Sequence, residues 1–163
     1  MLRGTLGPIL VAAGSTPRAI HRLPVYHREV QKETMITLLL VDDEPWVRQG
    51  LRIWLGRASD ITVVGEASTG AEAITLAQAH HPHVVLMDIS KPTLDGIAAI
   101  AAIRASVPHS AIVLLSLHDD VHMQARAHAA GAVTLVGKQE GVKALLAAIR
   151  QAGGHELSQE SNT

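Results

Sequence analysis

The fold is decided by the stretch Leu38-Leu39-Leu40-Val41-Asp42-Asp43, an apolar run of strand length that ends on two acids. Three later runs are built in the same way and end on polar residues: 84–87 before Asp88, 111–115 before Ser116, and 133–136 before Gly137-Lys138. Unbroken apolar runs are typical of strands that are buried on both faces of a parallel sheet. The carboxyl ends of such strands form the ligand-binding edge of the sheet, so we expect these polar residues to share one pocket.

The predicted pocket combines the carboxylates of Asp42, Asp43 and Asp88 with the hydroxyl of Ser116 and the ammonium group of Lys138. Three neighbouring carboxylates cannot all remain ionised unless a cation compensates their charge. These residue types therefore indicate a site for a divalent metal ion and a phosphoryl group.

Segments with helical periodicity separate and follow the apolar runs. The predicted strands cover 36–41, 61–66, 83–87, 111–115 and 133–136, and the predicted helices cover about 45–57, 70–80, 96–106, 120–130 and 140–151. Thr69 and Glu72 form a capping-box pattern before the second helix, and Gly153-Gly154 is expected to end the last one. Right-handed crossovers between five such units give an α/β fold, a doubly wound parallel sheet in three α/β/α layers.

The composition of the 163 residues excludes several functional classes. Hydrophobic residues make up 47% of the chain, which indicates one globular domain with an apolar core. The formal net charge is −1, so neither nucleic acid nor a membrane surface is an expected partner. Cysteine is absent, which excludes thiolate metal sites and fits a reducing, cytoplasmic location. No apolar stretch reaches the roughly 18–20 residues of a membrane span.

Residues 1–34 differ from the rest of the chain because they are rich in Gly and Pro and carry no persistent period. We expect a disordered extension or a mis-started stretch translated from an upstream start codon, since Met35 directly precedes the first strand. A signal peptide with its apolar region at 6–13 is a weaker alternative, because Gly7 and Pro8 interrupt that region. The folded domain is expected at 35–152, followed by a polar tail at 153–163 that frays.

Four sequence motifs resemble those of a response regulator receiver domain of two-component systems. They are Leu-Leu-Val-Asp-Asp-Glu-Pro at 39–45, Met-Asp-Ile-Ser-Lys-Pro-Thr-Leu-Asp-Gly at 87–96, Leu-Leu-Ser-Leu-His-Asp-Asp at 114–120, and Ala-Gly-Ala at 130–132 followed by Lys138. The resemblance covers about 35–151 and implies a (βα)5 flavodoxin-like sheet with the strand order 2-1-3-4-5.

The resemblance also implies a magnesium site. Asp43 is expected to bind Mg²⁺ directly and Asp42 through water, while Asp88 and the backbone carbonyl of Ser90 supply further oxygen contacts. Mg²⁺ prefers oxygen ligands and usually keeps several of its waters, which agrees with the acidic residues at these positions.

The same resemblance implies phosphoryl transfer from a sensor histidine kinase or a phosphotransfer protein to Asp88. Ser116 would bind one phosphoryl oxygen and Lys138 another. Such a domain catalyses its own aspartyl phosphorylation and dephosphorylation, so it is not expected to be an enzyme that acts on other substrates. Positioning and cationic stabilisation supply most of the catalysis in reactions of this kind.

Some positions depart from the usual pattern and leave alternatives open. Lys91 stands where methionine is usual, Leu135 stands where an aromatic residue is usual, and Gly137 and Gln139 flank Lys138. The leading hypothesis is a phosphoacceptor receiver. The alternatives are a pseudo-receiver, which is a protein-interaction module without phosphate cycling, and a metal-dependent phosphohydrolase, although the latter usually carries Asp-x-Asp after its first strand.

The runs at 115–120 and 149–159 are similar to those of regulators whose receiver precedes a LuxR-like helix-turn-helix domain. No recognition helix follows within the 163 residues, so the expectation is a stand-alone receiver or a shortened gene product without direct nucleic-acid binding. Receivers often form dimers through the face made by the fourth helix, fifth strand and fifth helix. A receiver homodimer through that face is therefore a further expectation.

Overall fold

The computed structural model describes residues 35–89, 94–117 and 121–160, with side chains described for all of these except 94–95 and 155–160. Strands and helices alternate along the chain as predicted. They are β1 (Ile36–Val41), α1 (Pro45–Leu55), β2 (Ile61–Ala67), α2 (Gly70–His80), β3 (Val84–Asp88), α3 (Leu94–Ser106), β4 (Ala111–Ser116), α4 (Val121–Ala130), β5 (Thr134–Gly137), a 3-10 turn (Lys138–Glu140) and α5 (Val142–Glu160).

All strand pairs are parallel, and the order across the sheet is β2-β1-β3-β4-β5. This confirms the predicted flavodoxin-like topology. The chain reverses its direction of winding between β1 and β3, and the crevice at such a reversal is the usual ligand site of a doubly wound sheet. Val41 pairs with Met87 in register, so Asp42 and Asp88 leave the sheet side by side.

Two apolar cores lie on opposite faces of the sheet, which confirms the three-layer architecture. On one face α1 and α5 contribute Leu55, Leu145 and Ile149. On the other face α2, α3 and α4 contribute alanines, isoleucines and one methionine, including Ala73 and Ile100. Because the chain has no Phe, both cores are filled mainly by aliphatic side chains.

The expectation that all strands are buried on both faces holds for the three central strands only. Every residue of β4 is buried, and β1 and β3 each have one partly exposed residue. In β2, by contrast, Thr62 and Glu66 are exposed, and β5 begins with two partly exposed residues. These two strands are the outermost strands of the sheet, where the flanking helices cover less of the surface.

The predicted end of the last helix at Gly153-Gly154 is wrong, because α5 continues through both glycines to Glu160. A Cβ atom added at Gly153 would lie 2.9 Å from Cδ1 and Cγ2 of Ile36. Glycine therefore lets the helix approach β1 closely, and this packing offsets its helix-propensity cost of about 1 kcal/mol. The tail expected to fray from 153 is helical to 160, and 161–163 lie outside the described residues, as do 1–34.

The other helix boundaries lie within about two residues of the predicted ones. Pro45 occupies the first turn of α1, and Gly131 follows α4 with a φ of +111°. Thr69 Oγ1 accepts the backbone N–H of Glu72 at 3.2 Å, but the Glu72 carboxylate accepts the N–H and hydroxyl of Ser68 at 2.8 and 2.9 Å. Among the described helices, none has the length and apolarity needed to cross a membrane.

Candidate functional site

The sheet brings the predicted site residues to its carboxyl edge. Asp42 and Asp43 directly follow β1, Asp88 ends β3, Ser116 ends β4, and Lys138 begins the turn after β5. Three predicted features fall outside the described residues, namely the carbonyl of Ser90, the side chain of Lys91, and the segment 118–120 before α4.

Lys138 reaches across the sheet edge to Asp88. Its Nζ donates a hydrogen bond to Asp88 Oδ2 at 2.6 Å, and the Asp88 side chain is only 5% exposed. Charge-assisted hydrogen bonds of this length are stronger than those between neutral groups. The contact joins residues that are 50 positions apart and places an ammonium group directly on the carboxylate that is predicted to be the phosphoacceptor.

Asp42 is a buried acid whose charge is only partly compensated. Its Oδ1 accepts the backbone N–H of Glu44 at 2.8 Å, whereas its Oδ2 is buried and has no hydrogen-bond partner among the described residues. Burial and the neighbouring Asp88 carboxylate raise the pKa of Asp42 to about 6, against the opposing effects of the Glu44 N–H and Lys138. A buried oxygen without a donor is costly unless a cation binds it.

The oxygen atoms at this edge fit a magnesium ion. Asp42 and Asp88 are buried or nearly so, while the Asp43 side chain is exposed to solvent. Within the described ranges, the site does not form a ready-made cage of three or more His, Cys, Asp or Glu ligands. Mg²⁺ commonly binds one or two carboxylates and completes its shell with water, so the unpaired Asp42 Oδ2 and the solvent-facing Asp43 are compatible with it.

Ser116 lies between the strands that carry Asp88 and Lys138. Its side chain is buried, and its backbone pairs in register with Gly137, while Asp88 pairs with Leu115 one position earlier. The hydroxyl of Ser116 is thus held at the same edge as the Lys138–Asp88 contact. This position agrees with the predicted role of Ser116 as a ligand of a phosphoryl oxygen.

The turn that carries Lys138 is held by two neighbours that sequence reasoning missed. The backbone N–H of Gly137 donates to Glu140 Oε1 at 2.7 Å. A Cβ atom at Gly137 would lie 2.5 Å from Nε2 of Gln139, so the Gln139 carboxamide occupies the space that a side chain at 137 would take. An acid three residues after the start of a turn is a common capping pattern, so the role of Glu140 could have been predicted from the sequence. Nothing in the sequence pattern predicts the orientation of Gln139.

Arg48 was also missed. Its guanidinium Nη1 donates to the backbone carbonyl of Asp42 at 2.7 Å, and its Nε lies 3.8 Å from Glu66 Oε1 on β2. A bond from a helix side chain to a backbone carbonyl outside the helix leaves no periodic trace in the sequence, so only the folded chain reveals it.

Comparison with known proteins settles the family. The profile of the response regulator receiver domain matches residues 38–150 of the chain. The chain belongs to the receiver domain family. The matched range covers most of the chain and contains every predicted site residue, including Ser90. The five-stranded sheet is therefore a receiver sheet, and at its carboxyl edge Asp42 of the motif at 39–45 lies next to Asp88 of the motif that begins at Met87.

Several response regulators are similar to this receiver domain. The response regulator UvrY of Escherichia coli O6:H1 is 38% identical over 116 residues, which are 71% of this chain and 53% of that protein. The nitrate/nitrite response regulator protein NarL of Escherichia coli (strain K12) is 34% identical over 121 residues, or 74% of this chain and 56% of that protein. The receiver domain thus spans about half the length of the curated relatives it matches.

The fold is also similar to that of solved receivers. The response regulator domain of Thermotoga maritima CheB superposes with a TM-score of 0.66 at 30% sequence identity, covering 74% of this chain and 97% of that one. This similarity agrees with the strand order and the three layers described above.

Proposed function

We propose that this receiver accepts a phosphoryl group on Asp88 from the phosphohistidine of a sensor histidine kinase or a phosphotransfer protein. The observation that carries the proposal is the 2.6 Å contact between Lys138 Nζ and Asp88 Oδ2, made by a carboxylate that is 5% exposed. A nearly buried carboxylate paired with a lysine at the reversal point of a doubly wound sheet is suited to anion chemistry.

The reaction forms one bond and breaks another. A carboxylate oxygen of Asp88 attacks phosphorus, and the P–N bond to the donor imidazole breaks. The leaving nitrogen keeps the electron pair and takes up a proton, and the product is an aspartyl phosphate. Lys138 follows the negative charge from the carboxylate to a phosphoryl oxygen, and the Ser116 hydroxyl donates to another. Because charge spreads over the phosphoryl oxygens, positioning these donors is the main contribution of the protein.

Asp42, Asp43 and Asp88, with the backbone carbonyl of Ser90, would hold Mg²⁺ at the same edge. When bound, Mg²⁺ supplies positive charge that offsets the negative charge of the phosphoryl oxygens. Asp42 offers the oxygen that has no donor in the described structure, and Asp43 offers an exposed carboxylate to the water-rich side.

The proposal is tested by incubating the full chain with acetyl phosphate and following its intact mass. With Mg²⁺ we expect an adduct with the mass of a single phosphoryl group, which peptide mapping places on Asp88. With EDTA in place of Mg²⁺ the adduct should be strongly reduced. A chain that gains no phosphoryl group under the first condition, or that carries it on another residue, would contradict the proposal.

We also propose a location and partners for this receiver. The relatives include transcriptional regulators, but we propose that this receiver acts in the cytoplasm through its phosphodonor protein rather than by contacting nucleic acid. A homodimer through α4, β5 and α5 would be detected as a change in molar mass by light scattering upon phosphorylation. A constant monomer mass would argue against it.

A further inference from the structure

Arg48 links the carboxyl end of β1, where the proposed metal ligands lie, to the outermost strand β2. Its Nη1 donates to the carbonyl oxygen of Asp42 at 2.7 Å. Its Nε lies 3.8 Å from Glu66 Oε1, and Arg52, one turn later on α1, lies 3.7 Å from Glu66 Oε2. The Arg48 side chain is 21% exposed, compared with 52% for Arg52. Both arginines therefore pair with the Glu66 carboxylate, but it is Arg48 that donates the hydrogen bond to the Asp42 carbonyl.

The Arg48 hydrogen bond completes the restraints on Asp42. The backbone N–H of Asp42 donates to the Ala67 carbonyl at 3.0 Å, and Oδ1 accepts from Glu44. With the carbonyl oxygen bound by Arg48, Oδ2 is the atom of Asp42 left without a partner in the described structure. Asp42 is thus oriented at its backbone on both sides and at one carboxylate oxygen.

The same bond orients the residue that follows. The carbonyl of Asp42 and the N–H of Asp43 belong to one planar peptide unit. Fixing the carbonyl direction therefore fixes the peptide plane from which Asp43 departs, and this restrains the direction of its exposed carboxylate.

We propose that Arg48 is a positioning residue that sets the magnesium affinity of the receiver by fixing the peptide plane between Asp42 and Asp43. This inference rests on the proposed function, because it assumes that these two acids hold Mg²⁺. Groups that orient metal ligands from outside the coordination shell typically change affinity by 10–100-fold when they are removed. The sign separates positioning from simple charge, since removing a nearby cation should by itself strengthen cation binding.

The experiment is a Mg²⁺ titration of the full chain followed by tryptophan fluorescence, because Trp46 is 82% exposed and lies three residues after Asp43. We expect Arg48→Gln to raise the Kd for Mg²⁺ about ten-fold. Arg48→Lys, which keeps a charged donor, should recover part of the affinity. Arg52→Gln is the matched control, because it removes a cation that pairs with the same Glu66, and its Kd should be unchanged or slightly lower.

A second control removes the shared carboxylate. Glu66→Gln leaves the Arg48 hydrogen bond to Asp42 available, so we expect a Kd close to that of the wild type. Asp43→Ala serves as the positive control for loss of binding. Thermal unfolding of each variant shows whether it is folded under the titration conditions, and Arg48→Lys and Glu66→Gln carry the test if Arg48→Gln does not fold.

The outcomes are distinguishable. Equal weakening by Arg48→Gln and Arg52→Gln would overturn the inference in favour of a general disturbance of α1. A Glu66→Gln effect as large as that of Arg48→Gln would overturn it in favour of a charge effect of the Glu66 carboxylate. If the wild-type chain binds Mg²⁺ and takes up a phosphoryl group, but Arg48→Gln binds Mg²⁺ with unchanged affinity, the inference is wrong and the proposed function stands. A wild-type chain that neither binds Mg²⁺ nor becomes phosphorylated would overturn the proposed function and the inference together.

Discussion

Among the described residues, the two ends of the sheet differ in whether every buried polar side-chain atom has a hydrogen-bond partner. At the amino edge these atoms are paired: the ring nitrogen Nδ1 of His83 accepts the N–H of Thr37 at 3.0 Å, and the Ser110 hydroxyl donates to the Pro82 carbonyl at 2.6 Å. At the carboxyl edge the buried Oδ2 of Asp42 has no hydrogen-bond partner among the described residues. The paired groups at the amino edge therefore contribute to stability. The unpaired Asp42 oxygen at the carboxyl edge lowers stability but leaves an atom that can bind a cation.

The acids at the two edges show the difference in their pKa values. Hydrogen bonds from Arg150, at 2.6 and 2.9 Å, lower the pKa of Asp60 below its usual value. Burial beside Asp88 raises the pKa of Asp42 to about 6. One carboxylate is stabilised as an anion by its partner, whereas the other is held where ionisation is costly until a cation arrives. Polar groups left unsatisfied in this way are expected at functional sites.

The largest expected effect is the loss of phosphorylation when the aspartate at the carboxyl edge, but not the one at the amino edge, is changed. Asp88→Asn removes the proposed nucleophile and should abolish the phosphoryl adduct formed with acetyl phosphate and Mg²⁺. Asp60→Asn changes another aspartate that pairs with a cation, but at the amino edge, and should leave the adduct intact. Intact-mass spectrometry of both variants measures this. An adduct that persists in Asp88→Asn, or disappears in Asp60→Asn, would contradict the assignment of Asp88 as the phosphoacceptor.

The next effect concerns the stability cost at the carboxyl edge. Asp42→Asn keeps an oxygen that can accept from Glu44 and adds a donor facing Asp88, so at pH 7 without divalent cations it should stabilise the fold. The pKa of Asp42 rises from 3.8 to about 6 on folding, which corresponds to roughly 2–3 kcal/mol as an upper range. Denaturant unfolding at pH 7 would measure the gain.

The pH dependence of that gain has a defined sign. Below the ordinary value of 3.8 Asp42 is protonated in both states and carries no penalty. As the pH rises from about 4 to 6 the unfolded chain releases the proton first, so the wild type loses stability relative to Asp42→Asn, and the full difference is present above pH 6. A difference that stays constant from pH 4 to 7 would show that the substitution acts through packing rather than charge.

A smaller effect tests the packing near the amino edge. Gly153→Ala would bring a Cβ atom 2.9 Å from Ile36 at the start of β1, whereas an added Cβ at Gly154 meets nothing within 4 Å. We expect Gly154→Ala to stabilise the chain by up to about 1 kcal/mol through helix propensity. Gly153→Ala should lose stability by about 1–3 kcal/mol because of overpacking, and thermal unfolding would compare the two. Equal gains in both variants would show that α5 does not pack closely on β1.

The smallest expected effect is the loss of the ion pair at the amino edge. Asp60→Asn should cost little at pH 7, because both partners are partly exposed and surface ion pairs contribute little. The pKa of Asp60 is lowered in the folded state, so its contribution is present above the ordinary pKa and is lost as the pH falls through the folded value. Chemical unfolding between pH 7 and pH 3 should show this trend, opposite to that of Asp42. A stability difference that grows on acidification would contradict it.

Much of the fold could be predicted from local patterns in the sequence. The runs before Asp42, Asp88 and Ser116 identified the strand ends, because unbroken apolar segments followed by polar residues are typical of central parallel strands. The strand order came from the family resemblance rather than from periodicity. The exposed residues of β2 were not predicted, since a local run does not reveal whether its strand lies at the edge of the sheet.

The residues of the candidate site could likewise be predicted from the sequence, but their contacts could not. The residue types and their spacing in the sequence predicted a site made of Asp42, Asp43, Asp88, Ser116 and Lys138. The 2.6 Å contact of Lys138 with Asp88, the Arg48 bond to the Asp42 carbonyl, and the passage of α5 over Ile36 at Gly153 came only from the folded chain. Periodicity and residue type are local properties of the sequence, whereas these contacts depend on how distant segments approach one another in three dimensions.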